Sequence, residues 1–521
     1  MIIMAGFFAF QALRYAPDTT FIAGGYSSDT AIPVLMANSD HTSLFSLYYW
    51  GQDRFGSWPF LVYQFAADAF AFHWEAIHIF LGMYLFLHLS ILVFCWRRGF
   101  IPLLVLLGPL HFWPQVSNYL FDIAQPYGWQ LASILLALTA AERSGRSRTA
   151  AFFFGLCSFL AIWLSPSSVL YCLGMPFLMM SERGLSSPTR WKQLGRLSLP
   201  PLLGYLFHSL LRRMVVEHNN DAYYHGYETP LKWESRWIDP AFRAVIQHLD
   251  GTTEILIWLV AGALLLLAAL DILRRSLRQD GSGLLPQLSS RVLRNPASLT
   301  LLSGSILFVI ALLPLNWFAA NLYGARYIAL PRYLMATGFL LLMHKLLLHY
   351  LPFTLRPISN FGPMRNLLSL LLTVALLIGF NVFGQMLFQK REVSDAFLFR
   401  RSVARALEEM YPGVPLLGNY WETYVYASLQ RHGSLPQPGT GQYQRTPFLL
   451  PDFLQSDRIL VILRGYPAAL AKNESVDGGQ KSEPRRIITF RSVEYQLIEF
   501  KEIHGLPVAL YRKSEKPSAN R

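Results

Sequence analysis

The chain has 521 residues, 53% of them hydrophobic and only 15% charged where soluble domains carry about 25%, a balance that excludes an ordinary water-soluble enzyme. The net charge of +13 would suit a nucleic-acid partner only if the basic groups gathered on one face. They are scattered over short segments between apolar runs, so no nucleic acid is expected. Three cysteines, Cys95, Cys157 and Cys172, are too few for a disulfide framework or a Cys-rich zinc site and read as small packed residues of apolar helices.

Apolar runs recur at roughly the 17 to 25 residues a helix needs to cross the hydrocarbon core, which predicts a polytopic α-helical membrane protein with about eleven transmembrane helices. The expected spans centre on Phe8, Leu85, Leu106, Leu135, Leu156, Leu173, Leu203, Leu264, Phe308, Leu341 and Leu376. The first, over residues 1–13, would be about 20 Å long and short of the core, so an upstream start is expected. A signal peptide is the alternative, but a charged n-region and a small-x-small site near Tyr15 are both missing.

With the N-terminus in the cytoplasm, the loops on that side hold 16 basic residues, from Arg97 to Arg365, against the three acids Glu142, Glu182 and Asp280. The opposite loops hold seven basic residues and twelve acidic ones. Such an asymmetry orients spans by the positive-inside rule. Arg212 and Arg213, at the outer end of the seventh span, stand on the side that the rule disfavours.

Three segments are too polar to span: a first outer loop over 14–72, a second over 214–252, and the tail. The expected division is therefore a transmembrane domain over 1–389 and an extracytoplasmic α/β domain over 390–521. Apolar spacing in the tail predicts helices over 393–410 and 421–429 and strand-like runs over 458–463, 486–500 and 506–511. No internal repeat stands out, which weighs against the inverted-repeat transporters.

The first outer loop opens Gly25-Tyr26-Ser27-Ser28-Asp29-Thr30-Ala31-Ile32-Pro33 and continues Tyr48-Tyr49-Trp50-Gly51-Gln52-Asp53-Arg54-Phe55-Gly56-Ser57-Trp58-Pro59. An acid opening an amphipathic helix just after the first span, then an aromatic-Trp-Gly-Gln-x-x-aromatic-Gly turn, resembles the GT-C class of integral-membrane glycosyltransferases. That class includes the protein O-mannosyltransferases, the lipid A aminoarabinose transferases and bacterial relatives that take sugars from polyprenyl phosphates. Weaker matches are Trp163-Leu164-Ser165-Pro166, Arg332-Tyr333-Leu334 and Tyr420-Trp421-Glu422-Thr423-Tyr424. The resemblance implies a multi-pass protein of the cytoplasmic membrane whose partners are membrane lipid, a polyprenyl-phosphate sugar and a glycan, lipid or protein acceptor.

It also implies that Asp29, the acidic residue after the first span, is the catalytic residue. The chemistry agrees independently, because glycosidic bond formation removes a proton from the acceptor hydroxyl, and a placed carboxylate contributes roughly 10² to 10⁴ in rate. Following Ser27 and Ser28, Asp29 also has an alternative reading as a helix N-cap. Many relatives carry a second acid beside the first, where this chain has Ser28 and Thr30. A Mg²⁺ or Mn²⁺ ion would then need Asp40 or Asp53 to join Asp29.

Trp50, Gly51, Gln52, Asp53, Phe55, Gly56 and Trp58 read either as an interfacial aromatic belt or as a sugar platform, the glycines letting backbone approach a sugar face. A polyprenyl-phosphate leaving group needs cations at the outer membrane edge, where Arg212, Arg213, Arg326 and Arg332, with Tyr333 beside it, are expected. Each arginine could instead snorkel to headgroups. His73, Glu75, His78, His88 and His111 form no HExxH or closed ligand set and read as hydrogen-bonded packing residues.

Two other classes fit a chain of this kind. A lipid-linked glycan flippase or transporter should carry ionisable residues at mid-membrane, whereas Lys345 and Asp271 sit near span ends. A surface-polysaccharide polymerase or ligase would lack the pairing of Asp29 with a Trp-Gly-Gln turn.

Overall fold

The computed structural model describes residues 26–39, 47–50, 55–96, 98–144, 147–182, 188–218, 235–249, 251–276, 295–315, 318–319, 321–350, 395–431, 435–439, 445–463 and 484–514. It is mainly helical, with one mixed sheet near the C-terminus. Two compact units emerge. The first is formed by Leu81–Leu211 with His225–Leu387 and a short N-terminal piece, and the second by Ala16–Phe80, Arg212–Tyr224 and Phe388–Arg521. A boundary at 389/390 was expected; instead the first-loop segment and the tail fold as one unit that is discontinuous in sequence.

The helices run α1 (Ser28–Ala37), α2 (Trp58–Phe70), α3 (Ala76–Cys95), α4 (Phe100–Phe112), α5 (Pro114–Leu120), α6 (Tyr127–Ser144), α7 (Arg148–Leu164), α8 (Val169–Glu182), α9 (Pro188–His218), α10 (Ser235–His248), α11 (Gly251–Ser276), α12 (Pro296–Leu312) and α13 (Ala329–Tyr350). Every expected span centre from Leu85 to Leu341 falls on a helix, and those at Phe8 and Leu376 lie outside the described residues. Among the described residues, two helices are long and apolar enough to cross a membrane, α3 and the Gly251–Leu270 part of α11. The expectation of about eleven spans reaches further than that. Ile101–His111, α7 and α12 are apolar but shorter.

In the first unit, α11, α12 and α13 enclose a core of Ala261, Leu264, Leu299, Leu302, Met335 and Leu342. Close approach of α12 and α13 depends on Gly338, where an added Cβ would lie 2.9 Å from Leu301. The outer side of α11 is also apolar: Leu259 is 66% exposed, and Leu256, Leu266 and Leu270 accompany it. All three cysteines are free, Cys95 and Cys172 buried and Cys157 half-buried, in keeping with packing residues.

The second unit contains α14 (Asp395–Met410), β1 (Leu416–Gly418), α15 (Tyr420–Ser428), β2 (Pro436–Pro438), α16 (Leu450–Gln455), β3 (Arg458–Ile462), β4 (Ile487–Phe490), β5 (Val493–Ile503) and β6 (Leu506–Lys513). The sheet order is β2-β1-β3-β6-β5-β4. β1 is parallel to both of its neighbours and the remaining pairs are antiparallel. Alternation along each strand feeds two cores. Leu460, Ile462, Val508 and Leu510 face α14 and α15, while Ile459, Val461, Ala509 and Tyr511 pack with Phe453 and Phe490 on the other side. Leu35 of α1 joins the first of these cores, so the first-loop helix shares the hydrophobic interior of the tail.

Candidate functional site

α1 begins at Ser28, with Ser27 in extended conformation at the N-cap position and no side-chain cap bond. Asp29 lies in the first turn, and its carboxylate turns to the tail. Its Oδ1 accepts from the Tyr420 hydroxyl at 3.1 Å and from Nη2 of Arg445 at 2.8 Å. Oδ2 accepts no hydrogen bond among the described residues, and the side chain is 30% exposed. Of the two readings of Asp29, the capping one is not what this geometry uses.

Two further contacts hold the α1 segment against the two ends of α15. Ser28 Oγ donates to the Tyr420 carbonyl at 2.8 Å, and the Tyr26 and Ser428 hydroxyls are 2.7 Å apart. Burial pushes the Tyr26 phenol well above its ordinary range, which keeps it a neutral hydrogen-bonding group. Asn419 caps α15, its side chain accepting from the Trp421 N–H at 2.9 Å, and this cap sets the position of Tyr420 one residue later.

Arg445 is 5% exposed. Besides Asp29, its Nε donates to the Tyr420 hydroxyl at 2.9 Å and its Nη1 to the Trp50 carbonyl at 3.3 Å. Its own backbone N–H donates to the Tyr424 hydroxyl at 2.8 Å. Burial raises the Tyr424 phenol to about 12, against the smaller opposing effects of its bonds to Thr446 and Arg445, so the group is neutral at ordinary pH. The adjacent Thr446 Oγ1 donates to the Pro436 carbonyl at 2.8 Å, tying this stretch to β2.

The residues that flank 51–54 pair as a small antiparallel ladder. Tyr48 bridges Gly56, the Tyr49 N–H donates to the Phe55 carbonyl at 2.7 Å, and the Ser57 N–H donates to the Leu47 carbonyl at 3.2 Å. Tyr48, Tyr49, Trp50 and Phe55 are buried, and Trp58 starts α2. The Trp50 ring meets Phe448 edge-on at 4.9 Å, and its indole N–H has no acceptor among the described residues. Gly51, Gln52, Asp53 and Arg54 lie outside the described residues, as does Asp40.

The expected cations are placed differently from one another. Arg332 is 2% exposed, and its Nε and Nη2 donate to the two oxygens of Glu254 at 2.8 and 2.7 Å, with the Trp113 ring centre 4.8 Å from its guanidinium. The fork expected for a phosphate thus grips a carboxylate. Tyr333 is buried and donates to the Leu106 carbonyl at 2.7 Å. Arg326 donates to Asn321 at 3.2 Å and to the Tyr327 hydroxyl at 2.7 Å. Arg212 and Arg213, on α9, are exposed. Arg326 and Arg332 belong to the first unit, and Arg212 and Arg213 to the second.

No three His, Cys, Asp or Glu side chains gather in a metal-binding group among the described residues. Asp29 supplies a single free oxygen beside a guanidinium, whereas Mg²⁺ demands a near-octahedral shell. Asp40 and Asp53, one of which would have to join Asp29 to hold such an ion, lie outside the described residues. Three of the histidines pair with protein groups. His78 Nδ1 accepts from the Glu75 N–H at 3.0 Å, and His88 Nδ1 donates to the Tyr84 carbonyl at 2.7 Å, so its Nε2 accepts from His111 Nε2 at 2.9 Å. Burial lowers the His73 pKa from its ordinary value.

Sequence reasoning had no reason to select Arg445. It stands alone in Gly-Thr-Gly-Gln-Tyr-Gln-Arg-Thr-Pro, 416 positions from Asp29. Only the aromatic cluster at Tyr420 to Tyr424, a weak match by itself, pointed at this part of the tail.

No protein-family model matches the chain, and a search of curated proteins finds no match. Among solved structures it is similar to the archaeal oligosaccharyltransferase AglB of Archaeoglobus fulgidus in complex with an inhibitory peptide and a dolichol-phosphate. The identity is 11% over 88% of this chain and 69% of that one, with a TM-score of 0.38. The oligosaccharyltransferase of the same organism in the apo form gives 11% identity, 84% and 64% coverage and a TM-score of 0.38. The form tethered to an acceptor peptide containing the NVT sequon gives 12%, 84%, 63% and 0.37. The chain therefore spans about two thirds of the length of these proteins. Likenesses this distant leave the functional reading to rest on the residues.

Proposed function

We propose that the protein is an inverting glycosyltransferase of the GT-C kind, embedded in the cytoplasmic membrane. It moves a sugar from a polyprenyl phosphate to a hydroxyl of a glycan, lipid or protein acceptor on the outer face. The observation that carries the reading is Asp29, a part-exposed carboxylate at the start of α1 with one oxygen held by Tyr420 and Arg445 and the other open. An open oxygen on an otherwise immobilised carboxylate is suited to accept a proton from a substrate hydroxyl.

In this mechanism the acceptor oxygen attacks the anomeric carbon as Asp29 Oδ2 takes its proton. The bond from that carbon to the donor phosphate oxygen breaks, and the polyprenyl phosphate leaves with the electron pair. Trp50 offers a buried indole N–H to a sugar oxygen, and Gly51, Gln52, Asp53, Phe55, Gly56 and Trp58 complete the platform. Arg212 and Arg213, exposed side chains of the same unit as Asp29, are the cations proposed for the leaving phosphate. Arg332 would first have to release Glu254. A membrane location is supported by α3, α11 and the outward leucines of α11, and the outer placement of the tail by the loop charge asymmetry. The donor class rests on the resemblance of the first-loop pattern.

Incubating the purified protein with a panel of radiolabelled polyprenyl-phosphate sugars and a membrane extract as acceptor source tests this function. Acceptor-dependent loss of label from one donor is expected. A protein that consumes none of them, while binding or translocating lipid-linked glycans, belongs to the transporter class instead.

A further inference from the structure

We infer that Arg445 is the positioning residue for Asp29, so that the C-terminal segment completes the active site. This rests on the reading of Asp29 as the base. One guanidinium reaches three separate pieces of chain: the first turn of α1 through Asp29, the Trp-Gly-Gln turn through the Trp50 carbonyl, and α15 through the Tyr420 hydroxyl.

Arg445 is far more buried than a surface ion-pair partner, its side chain 6% exposed against 30% for Asp29. Its direction is set from behind, because its backbone N–H is bound to Tyr424 and the next residue to the Pro436 carbonyl. The planar fork therefore arrives preorganised, with its donors fixed before substrate is present.

The consequence for Asp29 is geometric. Tyr420 and Arg445 both donate to Oδ1, so the carboxylate cannot spin and Oδ2 has one direction. The same guanidinium holds the Trp50 carbonyl, which fixes Trp50 relative to the base. Proton acceptor and sugar platform are thereby held in register by one side chain, the arrangement that lowers the cost of reaching a near-attack geometry.

A mere staple between loop and tail would use the same bonds, so the test must separate positioning from folding. The parent, Arg445→Lys, Arg445→Ala and Asp29→Asn are purified as full chains and their melting temperatures and transfer kinetics compared on the donor that the parent consumes. Positioning predicts that Arg445→Ala lowers kcat about 100-fold with KM for donor and acceptor nearly unchanged. Arg445→Lys, which keeps the buried charge but not the three-way reach, should fall between them while melting close to the parent. Added guanidinium should restore part of the rate to Arg445→Ala and none to Asp29→Asn. Arg445→Ala with parental kcat beside an inactive Asp29→Asn would overturn the proposal alone. So would losses in both arginine variants that follow melting temperature and resist guanidinium, which would leave a staple. An Asp29→Asn protein as active as the parent would remove the base itself, and the role of Arg445 with it.

Discussion

Glu254 sits in the first turn of α11 and Arg332 near the start of α13, 5% and 2% exposed, joined through both carboxylate oxygens. A buried pair of this kind contributes little net stability over an apolar pair, but removing one partner strands the other charge at a cost of about 3–5 kcal/mol. Arg332→Ala and Glu254→Ala should therefore each lower the melting temperature of the detergent-purified protein markedly, and Arg332→Met with Glu254→Met together should recover most of the loss. If Arg332→Ala melts like the parent, the arginine is not committed to Glu254 and is free for a phosphate. The sequence could mark Arg332 as a cation at the edge of an apolar run, but its partner lies 78 positions away and has no local signature. Asp29 could be singled out as a candidate because a first-turn acid and a Trp-Gly-Gln pattern are local. Arg445 could not, because a lone arginine in a polar loop meets Asp29 only when distant segments fold together.

The hairpins of the tail show the same limit in individual elements. The run over 486–500 reads as one strand, yet it divides into β4 and β5 at Arg491 and Ser492, both in the left-handed region with φ of 49° and 69°. The next hairpin uses His504 and Gly505 at φ of 48° and 81°. Two consecutive positive φ values are the signature of a type I′ turn, whose twist matches paired strands and which normally announces itself by Asn-Gly or Asp-Gly. Arg-Ser carries no such signal, and L residues there are strained by about 1–2 kcal/mol. Ser492→Gly should stabilise the tail by about 0.5–1 kcal/mol, the relief exceeding the added chain entropy of glycine. Thermal unfolding of the full chain checks this, and a loss of stability would contradict the turn assignment. β1 and β2, three residues each, are too short for periodicity to reveal, whereas α14 and α15 fall within a residue or two of their expected limits.

In the whole molecule, hydropathy located helices well and organisation poorly. Apolar runs mark each described helix from α3 to α13 except the short α5 and the amphipathic α10, because lipid and protein interior select similar side chains. They carry no information about which polar segments meet. The first-loop segment and the tail share a core through Leu35 and a hydrogen bond from Tyr26 to Ser428, which are 402 positions apart. The unit that holds Asp29 is built by both, and the chemistry proposed for it draws on both. Turnover of Asp29→Asn against the parent, with the donor identified by label consumption, tests that chemistry most directly. Asparagine keeps the shape and one acceptor oxygen for Tyr420 and Arg445 but cannot take a proton, so turnover should fall about 100-fold or more while the protein stays folded. Turnover within a few-fold of the parent would contradict Asp29 as the base.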